Sequence, residues 1–316
     1  MKKSRSRHGS LQFAPRKRAA KLTPSANWKH LDSQNPGLLG FLAYKAGMAT
    51  ALVKDSTDKV RTSKKTIAMP VTILEVPAMK IFSVRFYKNR IPLRDIIVSN
   101  EKELKKKLKV PKQIRKLDNL PEGSDDVRVI VYSLPKQTSI KKTPDVVEIA
   151  LQGSDLNAKV ELIKSLIGKE LTLENFSHSN LVDVHGVTIG KGFQGPVKRF
   201  GITKRHHKSE KGVRKVGSIG PWHPAHLTFR IPMAGQMGMN TRVIYNLCIV
   251  SQGKILEKNI NPKSGFPNYG NIKSSYIIVN GSVQGPVKRQ VLLTAASRPS
   301  KKQSKRKLEF LEVLNK

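Results

Sequence analysis

The chain has a single cysteine, Cys248, among 316 residues. An internal disulfide is therefore impossible, and a thiolate metal cluster cannot be assembled from this chain alone. Cys248 sits in the apolar run Leu247-Cys248-Ile249-Val250, where it reads as a small buried hydrophobe rather than a nucleophile. Acid is scarce as well: 22 Asp and Glu stand against 59 Lys and Arg, a formal net charge of +37. A compact monomer with that excess repels itself, so a polyanion must supply the counter-charge. Long apolar runs are also missing. The longest stretches, such as residues 276–279 and 247–250, are strand-sized, and the opening MKKSRSRHGS leads into no apolar signal core, so we expect no membrane partner and a soluble, intracellular protein. Hydrophobic residues make up 38% and aromatics 6%, enough for one or two modest cores. Long segments are too polar to bury anything and must take their order from a partner. Nucleic acid is the polyanion that remains.

The charge is segregated. Residues 95–174 hold 13 of the 22 acids and 15 Lys or Arg, a balance of +2, while the other 236 residues carry +35. One module is thus an ordinary solvated domain and the rest is built against phosphate. The first 30 residues carry nine Lys or Arg and no acid, and read as an extended arm that RNA orders. The cluster Lys301-Lys302-Gln-Ser-Lys305-Arg306-Lys307 has the same character, with a short helical tail expected over 308–314. Residues 184–256 contain twelve Lys or Arg and one acid, Glu210.

Strand candidates rich in Val, Ile, Tyr and Thr fall at 67–76, 81–87, 181–189, 242–251, 275–279 and 290–295, and together they imply a small closed β-barrel. Asn280-Gly281 signals a tight turn, since both residues tolerate positive φ. In the balanced segment, Asn100 can cap a helix over 101–109 with Glu103 in the capping-box position, and Pro111 suits the first turn of a second helix reaching Leu117. Ser154 can cap a helix ending at Gly168, with Leu156, Val160, Ile163 and Ile167 on one face. Strands at 127–133 and 146–151 complete a small α/β insertion. The hexapeptide Gln194-Gly-Pro-Val-Lys-Arg199 recurs as Gln284-Gly-Pro-Val-Lys-Arg289. In both copies Gly-Pro is expected to bend sharply and set two cations side by side for a backbone phosphate.

Gly190-Lys-Gly192-Phe-Gln-Gly195 spells a dinucleotide fingerprint after a strand candidate, but Pro196, Gly201 and clustered cations follow where a long amphipathic helix is needed. No cofactor is expected. Adjacent His206 and His207 rarely share a metal, and no Cys, Asp or further His stands at ligand spacing nearby, so they read as donors and stacking surfaces among phosphates. Trp222 is bracketed by Pro221 and Pro224 in a basic loop, which suits stacking on an RNA base over packing into a local core. Residues 190–241 form a long, glycine-studded excursion with no core of its own. No nucleophile elbow, acid pair or methyl-donor loop is legible, so an enzyme is not expected. Two rival readings remain: an RNA-modifying enzyme, which a bound small-molecule cofactor would favour, and a DNA-compacting chromatin protein, which a preference for duplex DNA would favour.

Several ordered blocks carry a further signal. Arg7-His-Gly-Ser-Leu11 with Pro15-Arg-Lys-Arg18, Leu39-Gly-Phe-Leu-Ala-Tyr-Lys-Ala-Gly-Met48 and Lys65-Thr-Ile-Ala-Met-Pro-Val71 resemble the archaeal and eukaryotic branch of the L-three family of large-subunit ribosomal proteins. Gly212-Val-Arg-Lys-Val-Gly-Ser-Ile-Gly-Pro-Trp-His-Pro-Ala225 and Ala234-Gly-Gln236 resemble its central extension, and the similarity runs in order from about residue 7 to 300. The resemblance implies a mainly β fold: a translation-protein-type closed β-barrel, a small α/β insertion domain, a long central extension and basic terminal tails.

The expected layout is an arm at 1–35, barrel at 36–94, 175–190 and 242–297, insertion at 95–174, extension at 191–241 and tail at 298–316. The resemblance further implies binding to large-subunit rRNA near its 3′ end, an early role in subunit assembly, ribosomal protein L-fourteen as a neighbour, and a cytoplasmic location. Trp222 matches the extension's tip, which in the family approaches the peptidyl-transferase centre. Some members carry a modifiable histidine where this chain has Glu210, so that modification is not carried over.

The rRNA-contacting candidates begin in the arm with Arg7, His8, Arg16, Lys17 and Arg18. In the extension they are Lys191, Lys198, Arg199, Lys204, Arg205, His206, His207 and Lys208, then Lys211, Arg214, Lys215, Trp222, His223 and His226. Arg242, Lys288 and Arg289 follow. No metal, small-molecule substrate or membrane is expected.

Overall fold

The computed structural model describes residues 7–31, 36–114, 117, 121, 123–153, 155–176 and 178–314. Among these the chain is mainly β, with fourteen strands and three short α-helices. The first seven strands are β1 (Gly37–Leu38), β2 (Gly40–Asp55), β3 (Thr66–Val76), β4 (Met79–Lys88), β5 (Ile91–Ile97), β6 (Asp126–Ser133) and β7 (Val146–Gln152). The rest are β8 (Leu181–Val187), β9 (Phe193–Gln194), β10 (Gly235–Gln236), β11 (Thr241–Lys254), β12 (Ser275–Asn280), β13 (Gln290–Ala295) and β14 (Leu308–Leu314). Helices are α1 (Leu156–Leu166), α2 (Pro196–Phe200) and α3 (Lys301–Ser304). No described helix is long and apolar enough to cross a membrane. Two compact units result, one combining the N-terminal residues through Lys21 with Val187–Thr241, the other combining Leu22–Gly186 with Arg242–Lys316.

The larger unit holds two sheets. One has seven strands in the order β13-β8-β11-β12-β3-β2-β14, and β13 also pairs with β2, so the pairings of six strands return on themselves. β2 makes this possible by its length. Its residues Gly40 to Tyr44 pair with β13, and Thr50 to Asp55 pair with β14. β12 and β13 are rich in Val, Ile and Leu, β13 is buried throughout and β12 except at its two ends, as fits strands with paired neighbours on both sides. Trp28 closes over the start of β2, where Gly40 gives it room: a Cβ there would lie 2.7 Å from the indole Cη2.

The second sheet runs β1-β7-β6-β4-β5. α1 packs Val160 and Ile163 into the same apolar cluster as Val84, Val129 and Ile149 of this sheet and Phe41, Leu74 and Leu292 of the other. Each such side chain contributes roughly 1.5–3 kcal/mol of burial, so the shared cluster holds both sheets in one body. Its acids are internally matched: Arg85 pairs with Asp95 and Glu148, Arg128 with Glu148 and Asp126, and Lys159 with Asp126.

All eight strand candidates are strands, with ends shifted by up to three residues. The candidate at 81–87 belongs to the second sheet: Pro77 and Ala78 break the pairing after β3, and β4 then runs along β6. The helix expected over 101–109 is only a single 3-10 turn at Leu104–Lys106. A longer helix there would stack Lys102, Lys105, Lys106 and Lys109 at three- and four-residue spacing for the burial of little beyond Leu104. Its intended cap, Asn100, instead donates to the Lys112 carbonyl at 3.4 Å, and Glu103 pairs with Lys136.

No helix follows Pro111 among the described residues, and positions 115 and 116 lie outside them. α1 forms as expected with Asp155 at its N-cap, Ser154 lying outside the described residues. Gly281 has φ +82° but begins no hairpin, because β12 pairs with β11 and β3 rather than with β13. The tail at 308–314 is strand, not helix. Pairing with β2 satisfies its backbone and sets Leu308, Phe310 and Val313 against an apolar cluster that a helix would expose. Cys248 is buried, and burial raises its thiol pKa.

Candidate nucleic-acid interface

The smaller unit is built almost without apolar packing. Between Gly201 and Ala234 the chain is turns and bends, and only Ile202 and Pro232 are buried. What holds it is a set of arginine-to-carbonyl bonds at its base. Arg199, on α2, donates from Nε to the Gln236 carbonyl at 2.9 Å, from Nη1 to Met233 at 2.9 Å and from Nη2 to Arg16 at 3.3 Å. Arg16 answers from Nη1 to the Arg199 carbonyl at 2.9 Å. Both guanidiniums lie over Phe200, at 4.1 and 5.1 Å from the ring centroid. Burial lowers the Arg199 pKa, with the Arg16 charge acting in the same direction.

The short β9–β10 pairing and the bonds of Lys191 N–H to Met237 and Met237 N–H to Gly192 join the two legs of the loop. Gly238, at φ +75°, admits a close crossing: a Cβ would fall 2.0 Å from the Ile189 carbonyl oxygen. The arm is tied on by Ala19 N–H to Met239 and by Arg7 Nη1 to the Arg230 carbonyl at 3.1 Å. It is therefore no free extension; residues 7–21 are part of this unit's fold.

Beyond the base, the surface is cationic and unbalanced. Among the described residues, no Lys or Arg of this unit forms an ion pair with a carboxylate. Trp222 is 88% exposed, and Phe229 and Phe193 stand out at 69% and 78%. Such an array of bare aromatics among uncompensated cations suits bases that stack and phosphates that need neutralising.

A family model described as Ribosomal protein L3 matches residues 1–93 and 97–314. The chain belongs to this family. The large ribosomal subunit protein uL3 of Methanococcus vannielii is 42% identical over 314 residues, covering 95% of this chain and 93% of its own length. The uL3 of Methanocaldococcus jannaschii is 40% identical over 312 residues, covering 94% and 92%. That of Methanococcoides burtonii is 38% identical over 314 residues, covering 93% and 92%.

Within this member of the Ribosomal protein L3 family, the expected contact residues differ in their surroundings. Lys17, Arg18, Lys191, Lys198, Lys204 and Lys208 are exposed, as are Lys211, Arg214, Lys215, Trp222, His223 and His226. His206 and His207 are exposed with their rings 4.2 Å apart at 40°, and among the described residues no group of three or more His, Cys, Asp or Glu could hold a metal. Arg7, Arg16, Arg199 and Arg205 instead spend donors on protein carbonyls, Arg205 on that of Val216. His8 is half-buried, with its Nε2 enclosed and unbonded.

Arg242, Lys288 and Arg289 lie in the larger unit, Lys288 exposed and the two arginines half-buried. The Lys288 N–H is bonded to the Lys45 carbonyl at 2.8 Å, and burial lowers the Arg289 pKa. Sequence reasoning missed Phe193, Phe229 and Arg230, the last placing its guanidinium 5.9 Å from the Phe229 ring. The adjacency of an aromatic and a cation in a polar stretch was the available signal.

Proposed function

We propose that this chain is a structural constituent of the large ribosomal subunit that binds large-subunit rRNA directly, near the 3′ end of the 23S-type molecule, early in subunit assembly. Family membership supports the particle, and the observation that carries RNA contact is the loop around Trp222: exposed aromatics among cations that have no carboxylate partner among the described residues. On this reading the exposed cations of the arm and of residues 191–241 neutralise phosphates, and Trp222 leads the extension toward the peptidyl-transferase centre. The self-returning order of six strands supports a translation-protein-type closed β-barrel in the larger unit, with the ion-paired α/β insertion of residues 95–174 turned to solvent. Ribosomal protein L-fourteen is a neighbour in the cytoplasmic particle.

The test is the salt dependence of binding between the full chain and a large-subunit rRNA transcript. Each phosphate contact adds about 0.7–0.9 to the log-log slope, so a steep negative slope is expected and a flat profile refutes the reading. The native protein should also co-sediment with the large subunit and remain there in moderate salt.

A further inference from the structure

The hexapeptide Gln-Gly-Pro-Val-Lys-Arg occurs at 194–199 and again at 284–289. The two copies fold differently. In the first, Pro196 starts α2; in the second, Gly285 at φ +93° and Lys288 at φ +67° make a turn. What they share is the destination of their donors. Gln194 Nε2 donates to the Lys191 carbonyl at 2.7 Å, and the Arg199 guanidinium holds the carbonyls of Gln236, Met233 and Arg16. Gln284 Nε2 donates at 2.8 Å to the carbonyls of both Val184 and Arg242. Those carbonyls belong to β8 and β11, the strands through which the chain enters and leaves residues 187–241. Gly186 leaves the space for this amide: a Cβ there would lie 2.8 Å from Gln284 Cγ. The second copy is itself held, since the buried Lys45 donates from Nζ to the Val283 and Gly285 carbonyls at 2.6 and 3.2 Å.

In each copy the lysine is left over. Lys198 and Lys288 are exposed, and neither ammonium has a hydrogen bond or ion pair among the described residues. A guanidinium that has given Nε, Nη1 and Nη2 to carbonyls has little of its planar fork left for a bidentate grip on phosphate. A carbonyl stripped of its donor in a partly buried site is costly, so these bonds resist being traded for phosphate contacts.

The geometry points to a division of labour within both copies: Arg199 and Gln284 are positioning residues, Arg199 fixing carbonyls of Met233, Gln236 and Arg16 and Gln284 those of the two strands that flank residues 187–241, and Lys198 and Lys288 are the groups that meet phosphate. The salt arm of the following test rests on the rRNA-binding reading; the exchange arm, made on the free full-length chain, does not.

Arg199→Lys keeps the charge but not the fork, and Gln284→Met keeps the volume but not the donor. Both should leave the log-log salt slope of rRNA binding unchanged. Both should also speed amide exchange about tenfold or more, at Lys191 and Met237 for Arg199→Lys and along β8 and β11 for Gln284→Met. Lys198→Ala and Lys288→Ala should each flatten the slope by about 0.7–0.9 and leave exchange unaltered. A flattened slope with unchanged exchange in an Arg199→Ala chain would overturn the assignment of Arg199, and unchanged exchange in Gln284→Met would overturn that of Gln284. Wild-type binding without salt dependence would overturn the role of the lysines and the rRNA reading together, while the exchange results would still decide the two positioning residues.

Discussion

Replacing Trp222 by alanine separates a residue that supports the fold from one that waits for a ligand. Trp222 is 88% exposed, so about 12% of its surface is covered by protein. A tryptophan buries at most about 250 Å², which puts the covered part near 30 Å² and the stability at stake near 0.75 kcal/mol. A base stacked on the same indole is worth about 1–3 kcal/mol, or roughly 5- to 150-fold in Kd. The two tryptophans of the chain make the measurement clean, because Trp28 is buried at 7% exposure. In Trp222→Ala the acrylamide-accessible fluorescence should vanish, while the denaturant midpoint read from Trp28 and the amide exchange of residues 187–241 stay close to wild type. rRNA affinity at fixed salt should fall within the range given. A stability loss of about 3 kcal/mol or more, typical of a buried Trp, or an rRNA Kd within twofold of wild type would refute the reasoning.

Gly40→Ala should lower stability by about 1–3 kcal/mol, seen as a drop in the denaturant midpoint, because its Cβ meets both the Trp28 ring at 2.7 Å and the Leu293 carbonyl at 3.2 Å. An unchanged midpoint would mean that Trp28 yields without cost. His185 is bonded to Thr294 at 3.2 Å, and burial holds its imidazole below the ordinary 6.5, with Asp183 opposing the shift. The unfolded chain therefore takes up this proton first as pH falls. The stability due to neutral His185 is full well above the ordinary 6.5 and is lost as pH falls through it, so His185→Gln should flatten the decline of the stability profile on the acid side of neutrality. Removing residues 308–316 should cost roughly 2–3 kcal/mol by uncovering the cluster under Leu308, Phe310 and Val313. It should also promote self-association, visible in size-exclusion chromatography, because the second half of β2 becomes an open edge.

The strands were legible where Val, Ile and Tyr cluster, since the pleated surface selects those side chains whatever the partner. β2 was not, because Ala43, Ala46, Gly47, Ala49 and Ala51 carry little strand preference and only pairing on both sides fixes their conformation. β14 misled for the opposite reason: Leu308, Leu311 and Leu314 stand at helical spacing, yet a β-bulge at Phe310 and Glu312 lets the segment follow β2. Exposure of Trp222 could be read from its flanking prolines and cations. The role of Arg199 could not, because two of its three acceptor carbonyls lie 34 and 37 residues away and the third lies in the arm, 183 residues distant. A basic residue looks the same in a sequence whether it faces a phosphate or a peptide carbonyl.

The divided edge of β2 sets an order for biosynthesis. This strand is complete by residue 55, but the partner for its first half, β13, is not finished until residue 295 and that for its second half until residue 314. A nascent chain thus carries an unpaired β2 edge from residue 55 to at least residue 295, a lengthy window in which a chaperone would have to shield it. Because six strands can complete their circuit once β13 is made, β14 is a later cover over the second half of β2, and a chain halted between residues 295 and 308 would keep its circuit but lack both that cover and the burial of Leu308, Phe310 and Val313.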